Sequence, residues 1–412
     1  MRIGIVTTWQ ERGAAYVSRQ YRDLLKEGHE VFIYARGGEN YAIGDKRWDD
    51  AKVTWGKKIP IHMPMAIDLV DFKDWLLSYH IALVFFNEQQ WWDPVLLCQK
   101  MGIITGAYID YYTKETIPFF KIYDFLICNT QRHFSVFNWH PGAVYLPWGT
   151  DINLFKPKIN GLVSPKTVTF FHSAGLSPER KGTDILLQSF CKIRGNAKLI
   201  IHTQTDLTAA YPALTNTINN LLKQKRLIIY NKTITAPGLY HLGDVYVYPS
   251  RLDGIGLTLA EAISCGLAII TSDNPPMNEF ISPSFGRLIK IASFQKRTDD
   301  YYWPMCEPEQ GDLSQQLQYY IDNPKIAEDH KKIARIYAEN KLNWKNNNQQ
   351  LIEIFTKLKA SSEDKKLIIK NIKEYEKKRS NLRTKLYRQF PIIYKPFSWL
   401  WPLIKNFYIN KI

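Results

Sequence analysis

The chain has 412 residues, 45% of them hydrophobic, enough for two domains with cores of their own. Its formal charge is +15, yet residues 361–412 hold 13 Lys and Arg against 4 acids, while 1–360 hold 41 against 35. A basic tail on a nearly balanced body argues against a nucleic-acid groove, and five scattered cysteines without metal-ligand spacing argue against a zinc site.

The chain opens MRIGIVTTW, directly as a strand and without a charged-then-apolar leader, so a cytoplasmic location is expected. Residues 3–7 predict a buried strand, followed by a loop to Ala14, an amphipathic helix through Leu25, and a strand over 31–35. This is a parallel β-loop-α-β start, but no G-x-G-x-x-G follows the first strand, which argues against a dehydrogenase. Further strands are predicted at 81–86, 103–109 and 125–128. Two polar groups of residues stand just past strand ends, where open parallel sheets bind their ligands. One is the stretch from Asn87 to Asp93, with Glu88, Trp91 and Trp92, and the other is Asp110. The Trp pair reads either as a binding platform or as packing. Phe155 reads as a packing anchor, and a linker is predicted at about 155–166.

The second half opens with a strand at 167–171 and the loop HSAGLSPERKG, which ends in Arg180, Lys181 and Gly182 before a helix. Alternating strands follow at 198–203 and 226–230. The densest signal is YPSRLDGIGLTLAEAISCGLAIITSDNPPMNEFI, residues 248–281. It reads as a strand end, a glycine-punctuated loop, a helix starting near Thr258, and a strand at 267–271 ending in a Pro-Pro turn. Loop amides and a helix N-terminus together favour a phosphate. Two acids, Asp253 and Glu261, flank that cradle with seven residues between them. This suits a diphosphate held between two polyhydroxylated rings.

The segment resembles the E-x7-E signature of retaining glycosyltransferases of family four, with Asp253 at the first acid, so that the pattern reads D-x7-E. The likeness covers roughly 1–355 and is strongest over 167–281. It implies an α/β GT-B fold: two Rossmann-like domains facing a central cleft. It also implies transfer of a sugar from a UDP- or GDP-sugar to a glycan or lipid-linked acceptor. No cofactor and no metal are expected, the nucleotide-sugar being a substrate. Lys181 and Arg180 would hold the diphosphate, and Asp253 would bind hydroxyls of the donor sugar. Glu261 would bind the ribose, while Gly254, Ile255, Gly256, Leu257 and Thr258 would supply the cradle. Gly13 matches the family's amino-terminal glycine loop near the donor, with Arg12 beside it. Asp110 stands where many members place a His, and Gly175 where many place an Arg. Glu88, Asp110, Trp91 and Trp92 would then line the acceptor side.

The expected organisation is a first domain over 1–155, a second over 167–340, a helix at 341–360 crossing back, and a tail over 361–412. The tail is basic and helical from Ile368 to about Leu386, then rich in Trp, Phe and Lys. It reads as a peripheral anchor on an anionic membrane surface through 387–412, or as packing against protein. Two further readings stand beside the transferase: a non-catalytic GT-B scaffold that binds sugar nucleotides, and a GT-B epimerase or phosphorylase.

Overall fold

The computed structural model describes residues 1–59, 65–158, 167–361 and 364–379. The chain forms two parallel sheets. The first has the order β3-β2-β1-β4-β5-β6-β7. Its strands are β1 (Arg2–Thr7), β2 (Glu30–Ala35), β3 (Val53–Trp55), β4 (Leu83–Asn87), β5 (Ile104–Tyr108), β6 (Phe125–Cys128) and β7 (Ala143–Tyr145). The second has the order β10-β9-β8-β11-β12-β13. Here the strands are β8 (Val168–Gly175), β9 (Ala197–Thr203), β10 (Leu227–Asn231), β11 (Val245–Tyr248), β12 (Ala268–Ser272) and β13 (Gly286–Ile289). Central strands such as LVFFN and VYVY are apolar without alternation because helices cover both faces of each sheet. Each sheet reverses its order beside a central strand, β1 against β4 and β8 against β11. Crevices open at such points.

Sequence patterning misses the edge strands β3 and β7, three residues each and only half-buried, too short to show a period. It also misses an antiparallel hairpin, β14 (Ile291–Gln295) with β15 (Met305–Pro308), which leaves the second domain just after β13. The tip of that hairpin lies on the first domain. Thr113 bridges Tyr301, and Tyr302 N–H donates to the Tyr112 carbonyl at 2.9 Å.

The chain returns to the first domain after the helix Pro324–Lys341 packs on the helix Leu257–Ser264. Trp344 meets Tyr21 and Trp148, and Phe355 of the helix Gln350–Lys357 sets its ring on Phe85 and Phe125. The crossing then continues into what the charge pattern presented as tail. The helix Lys366–Arg379 buries Ile372 in the first domain's core and sets Tyr375 against Phe119. Lys365 is buried against Asp124 at 2.8 Å and also donates to the Ile122 carbonyl. Residues 364–379 therefore belong to the body. Their apolar stripe, Ile368, Ile372 and Tyr375, has helical spacing that the surrounding lysines obscure. The proposed membrane segment 387–412 lies outside the described residues, and no helix among those described is long and apolar enough to cross a membrane.

One buried apolar cluster runs through both domains, from Ile3 and Tyr21 by way of Trp148 and Phe155 to Tyr240, Leu259 and Phe285. Polar contacts close the same interface. The Glu279 carboxylate of the second domain accepts from the Gln131 and Arg132 amides, capping the helix Gln131–Phe137 of the first.

Candidate active site

The cleft holds a cavity of about 460 Å³ at the carboxyl ends of the central strands of both sheets. From the first domain it is lined by Arg12, Gly13, Glu88 and Asp110, and from the second by Arg180, residues 252–255 and Leu257. The fold thus brings together residues that lie up to about 290 positions apart in the sequence, from Arg12 to Tyr301.

The second-domain wall is built around Asp253. Its Oδ2 accepts from Lys181 Nζ and from the Tyr248 hydroxyl, and Arg180 Nη1 stands 3.5 Å away. Burial alone would raise the Asp253 pKa, but Lys181 and Arg180 outweigh it and hold the carboxyl ionised, well below the usual carboxylate range. Burial lowers Lys181 to about 8 despite that partner. Arg180 also donates to the Leu252 carbonyl at 2.7 Å, which ties its loop to the Asp253 loop. Gly182 makes this approach feasible. Its φ is +68°, and a Cβ there would lie 2.1 Å from the Pro249 carbonyl oxygen. Gly256, φ +91°, sits just before the helix Leu257–Ser264 and does not itself line the cavity.

A second recess, about 190 Å³, lies on the other side of that helix start. Thr258 and Glu261 line it with Glu11, Tyr16, Gly175, Ala236 and Tyr240. Burial lifts Glu261 to about 7, partly offset by the Tyr240 hydroxyl that donates to it. Among the described residues no side chain occupies the space beside Gly175, and Arg180 turns toward Asp253 instead.

The first-domain wall is of a different kind. Glu88 follows β4 with φ +53°, and Asp110 lies just past β5. The two carboxyls hydrogen-bond to each other. Burial raises both, Asp110 well above the usual carboxylate range with Glu88 and Asp253 adding repulsion, which favours a proton shared between the pair. Gly13 faces Leu257 across the cleft: a Cβ at 13 would lie 3.5 Å from Leu257 Cδ1.

The aromatic pair does not reach the cavity. Trp92 is 4% exposed, edge-on to Phe119 and Phe120 in the first-domain core, because it begins the helix Asp93–Lys100. Trp91 packs by Ile59 and Ala66, with the Arg379 guanidinium 4.0 Å above its ring. The packing reading holds for Trp92, and its acceptor-side reading is withdrawn. The cavity instead contains Arg297 and Tyr301 from the hairpin tip, and Tyr248 stands behind Asp253. Nothing local in the sequence marks the tip as site material. Tyr248 had a signal, since it is the last strand residue before the loop.

Residues 166–294 match the family model described as Glycosyl transferases group 1. Among solved structures, sucrose-phosphate synthase from Thermosynechococcus elongatus superposes with TM-score 0.67 at 16% identity, covering 86% of this chain and 98% of that one. HepE of Anabaena, solved in complex with UDP and glucose, gives 0.66 at 15%, covering 87% and 100%. The fold is GT-B. Among curated sequences, a GDP-mannose-dependent monoacylated alpha-(1-6)-phosphatidylinositol monomannoside mannosyltransferase of Corynebacterium glutamicum is 24% identical over 191 residues. That match covers 41% of this chain and 49% of that protein, so it spans about half the relative's length. The family match falls on the GT-B domain that carries Arg180, Lys181, Asp253 and Glu261, and the first domain resembles the solved structures in fold alone.

Proposed function

We propose that the protein is a retaining glycosyltransferase that moves a sugar from a UDP- or GDP-sugar to a glycan or lipid-linked acceptor. The observation that carries this is the convergence of Arg180, Asp253 and a glycine loop at a helix start on one wall of a cleft, with Lys181 paired to Asp253 behind that wall and hydrogen-bonding carboxyls on the opposite one. Departure of a nucleoside diphosphate builds negative charge, and two fixed cations with backbone amides stabilise it without reorganisation. In this reading Asp253 orients the Arg180 and Lys181 side chains and meets the hydroxyls of the donor sugar. The second recess takes the ribose at Glu261 and the base near Ala236. The Glu88–Asp110 pair, one acceptor and one donor, meets hydroxyls of the transferred sugar or of the acceptor. The leaving phosphate deprotonates the acceptor hydroxyl, so the scheme needs no protein nucleophile. The relative named above is a phosphatidylinositol monomannoside mannosyltransferase, which supports a lipid-linked acceptor; a peripheral membrane role for 387–412 is part of the same proposal.

The test is a thermal-shift panel of UDP, GDP and their sugars, followed by donor turnover. A ligand held only by the native state raises the melting temperature by mass action. No stabilisation by any nucleoside diphosphate, together with no donor turnover, would sink the reading.

A further inference from the structure

Gly254 lies at the centre of the donor wall, and both of its peptide groups are held. Its N–H donates to Asp253 Oδ1 at 2.9 Å. Its carbonyl faces His133 Nε2 at 3.0 Å, a contact across the domain interface. Asp110 lies against the same residue: a Cβ at position 254 would lie 2.6 Å from Asp110 Oδ1, so a larger residue here would displace the Asp110 carboxyl.

His133 sits in the helix Gln131–Phe137 and is fully buried. A carbonyl only accepts, so Nε2 carries the hydrogen and Nδ1 is the acceptor. Its donor is the Tyr112 hydroxyl at 2.9 Å. That hydroxyl in turn accepts from Trp303 Nε1 at 2.6 Å. Trp303 belongs to the hairpin tip and lies under the Arg132 guanidinium at 4.5 Å. Each hydrogen in this chain therefore has one direction: Trp303 to Tyr112, Tyr112 to His133, His133 to Gly254. Burial, with Arg132 alongside, lowers His133 to about 3, so the ring stays neutral and the directions do not reverse near neutrality.

We propose that His133 is a positioning residue for the donor loop, a latch that sets the Gly254 peptide only when the hairpin tip and the two domains have closed. Fixing that carbonyl also fixes the plane of the peptide it belongs to, and the Ile255 N–H points the opposite way from the carbonyl in a trans peptide. The latch therefore aims one amide of the anion cradle and, through the Gly254 N–H, steadies Asp253 against Lys181. Closure of the first domain is thereby read out at the diphosphate. Nothing in the D-x7-E segment itself contains this contact, because its donor lies about 120 residues upstream.

The inference rests on the glycosyltransferase reading, and its test separates the two. Full-length wild type, His133→Phe, His133→Gln and Trp303→Phe are compared for UDP and GDP binding by calorimetry, with ligand-free melting temperatures recorded alongside. His133→Phe keeps the ring volume and removes the donor, leaving the buried carbonyl unpaired, so binding of the preferred diphosphate should weaken about ten- to hundredfold. In His133→Gln the side-chain amide reaches the same carbonyl and recovers most of that loss, which a packing role would not predict. Trp303→Phe removes only the far end of the chain and should weaken binding a few-fold. If His133→Phe fails to fold, the Gln and Trp303 variants decide. Wild-type affinity in His133→Phe, or equal loss in the Phe and Gln variants, overturns the latch. A wild type that binds neither UDP nor GDP overturns the glycosyltransferase reading, and the latch with it.

Discussion

The two domains share an architecture but reach it differently. The second is nearly contiguous: six strands between Val168 and Ile289 form one sheet, and its site residues apart from the hairpin tip, Arg180 to Glu261, fall within about eighty positions of each other. The first is composite. It takes seven strands from the amino-terminal part and completes its core with helices from the far end of the chain, through Phe355, Lys365 and Ile372. Their treatment of buried charge differs too. The second-domain wall neutralises Asp253 with Lys181 and Arg180, whereas the first-domain wall neutralises its acids by keeping a proton between Glu88 and Asp110. A wall of paired charges suits an anionic leaving group, and a wall of shared protons suits hydroxyls.

The largest expected effect is on the charged wall. Lys181→Ala should lower donor turnover about 10²–10³-fold at saturating donor, because it deletes one of two cations facing the developing phosphate charge. The folded state should survive, since the Tyr248 hydroxyl and Arg180 still face Asp253. Near wild-type turnover would erase the distinction between the walls.

The composite nature of the first domain is sharpened by Lys365→Ala. This leaves the Asp124 carboxylate buried without its ion-pair partner, though the Thr105 and Ser361 amides still donate to it. A loss of about 3 kcal/mol is expected in urea unfolding. A change below about 0.5 kcal/mol would show that the carboxyl-terminal helix merely rests on the surface.

A third, smaller effect concerns pH at Glu261. Burial raises its pKa to about 7, so the carboxylate that ribose hydroxyls require is lost as pH falls below that value. Affinity for a nucleotide-sugar, whose phosphates do not titrate in this range, should fall by up to about tenfold per unit below pH 7. Glu261→Gln should bind less tightly at pH 7.5 and lose the decline in affinity below pH 7, leaving only the change that Lys181 imposes near pH 8. A loss of affinity below pH 7 that persists in the Gln variant would assign the titration elsewhere.

The smallest effect tests the proton-sharing wall. The folded-state pKa of Asp110 lies above its unfolded value, so its contribution to stability is present at low pH and lost as pH rises. Asp110→Asn mimics the protonated form at every pH. It should therefore equal or exceed wild-type stability at pH 7, by up to about 1 kcal/mol, with the gain shrinking toward pH 4. A destabilised Asn variant at pH 7 would mean that Asp110 is ionised and the two walls are alike.

What the amino-acid sequence determined by itself is what depends on neighbours along the chain. The central strands, the parallel β-loop-α-β order, the loop that ends at Gly182 before a helix and the loop from Asp253 to the helix at Leu257 were all legible, because periodicity and turn chemistry act over a few residues. Phe155 as a packing anchor was equally local. The tertiary structure alone decided which side of the cleft each group serves and which charges survive. Trp92 and Asp110 both sit near strand ends, yet one is swallowed by Phe119 and Phe120 while the other reaches Gly254. The hairpin tip, His133 and the Lys365–Asp124 pair carry no local signature. Their roles arise from contacts between residues more than a hundred positions apart, and from a desolvation that only the closed interface imposes.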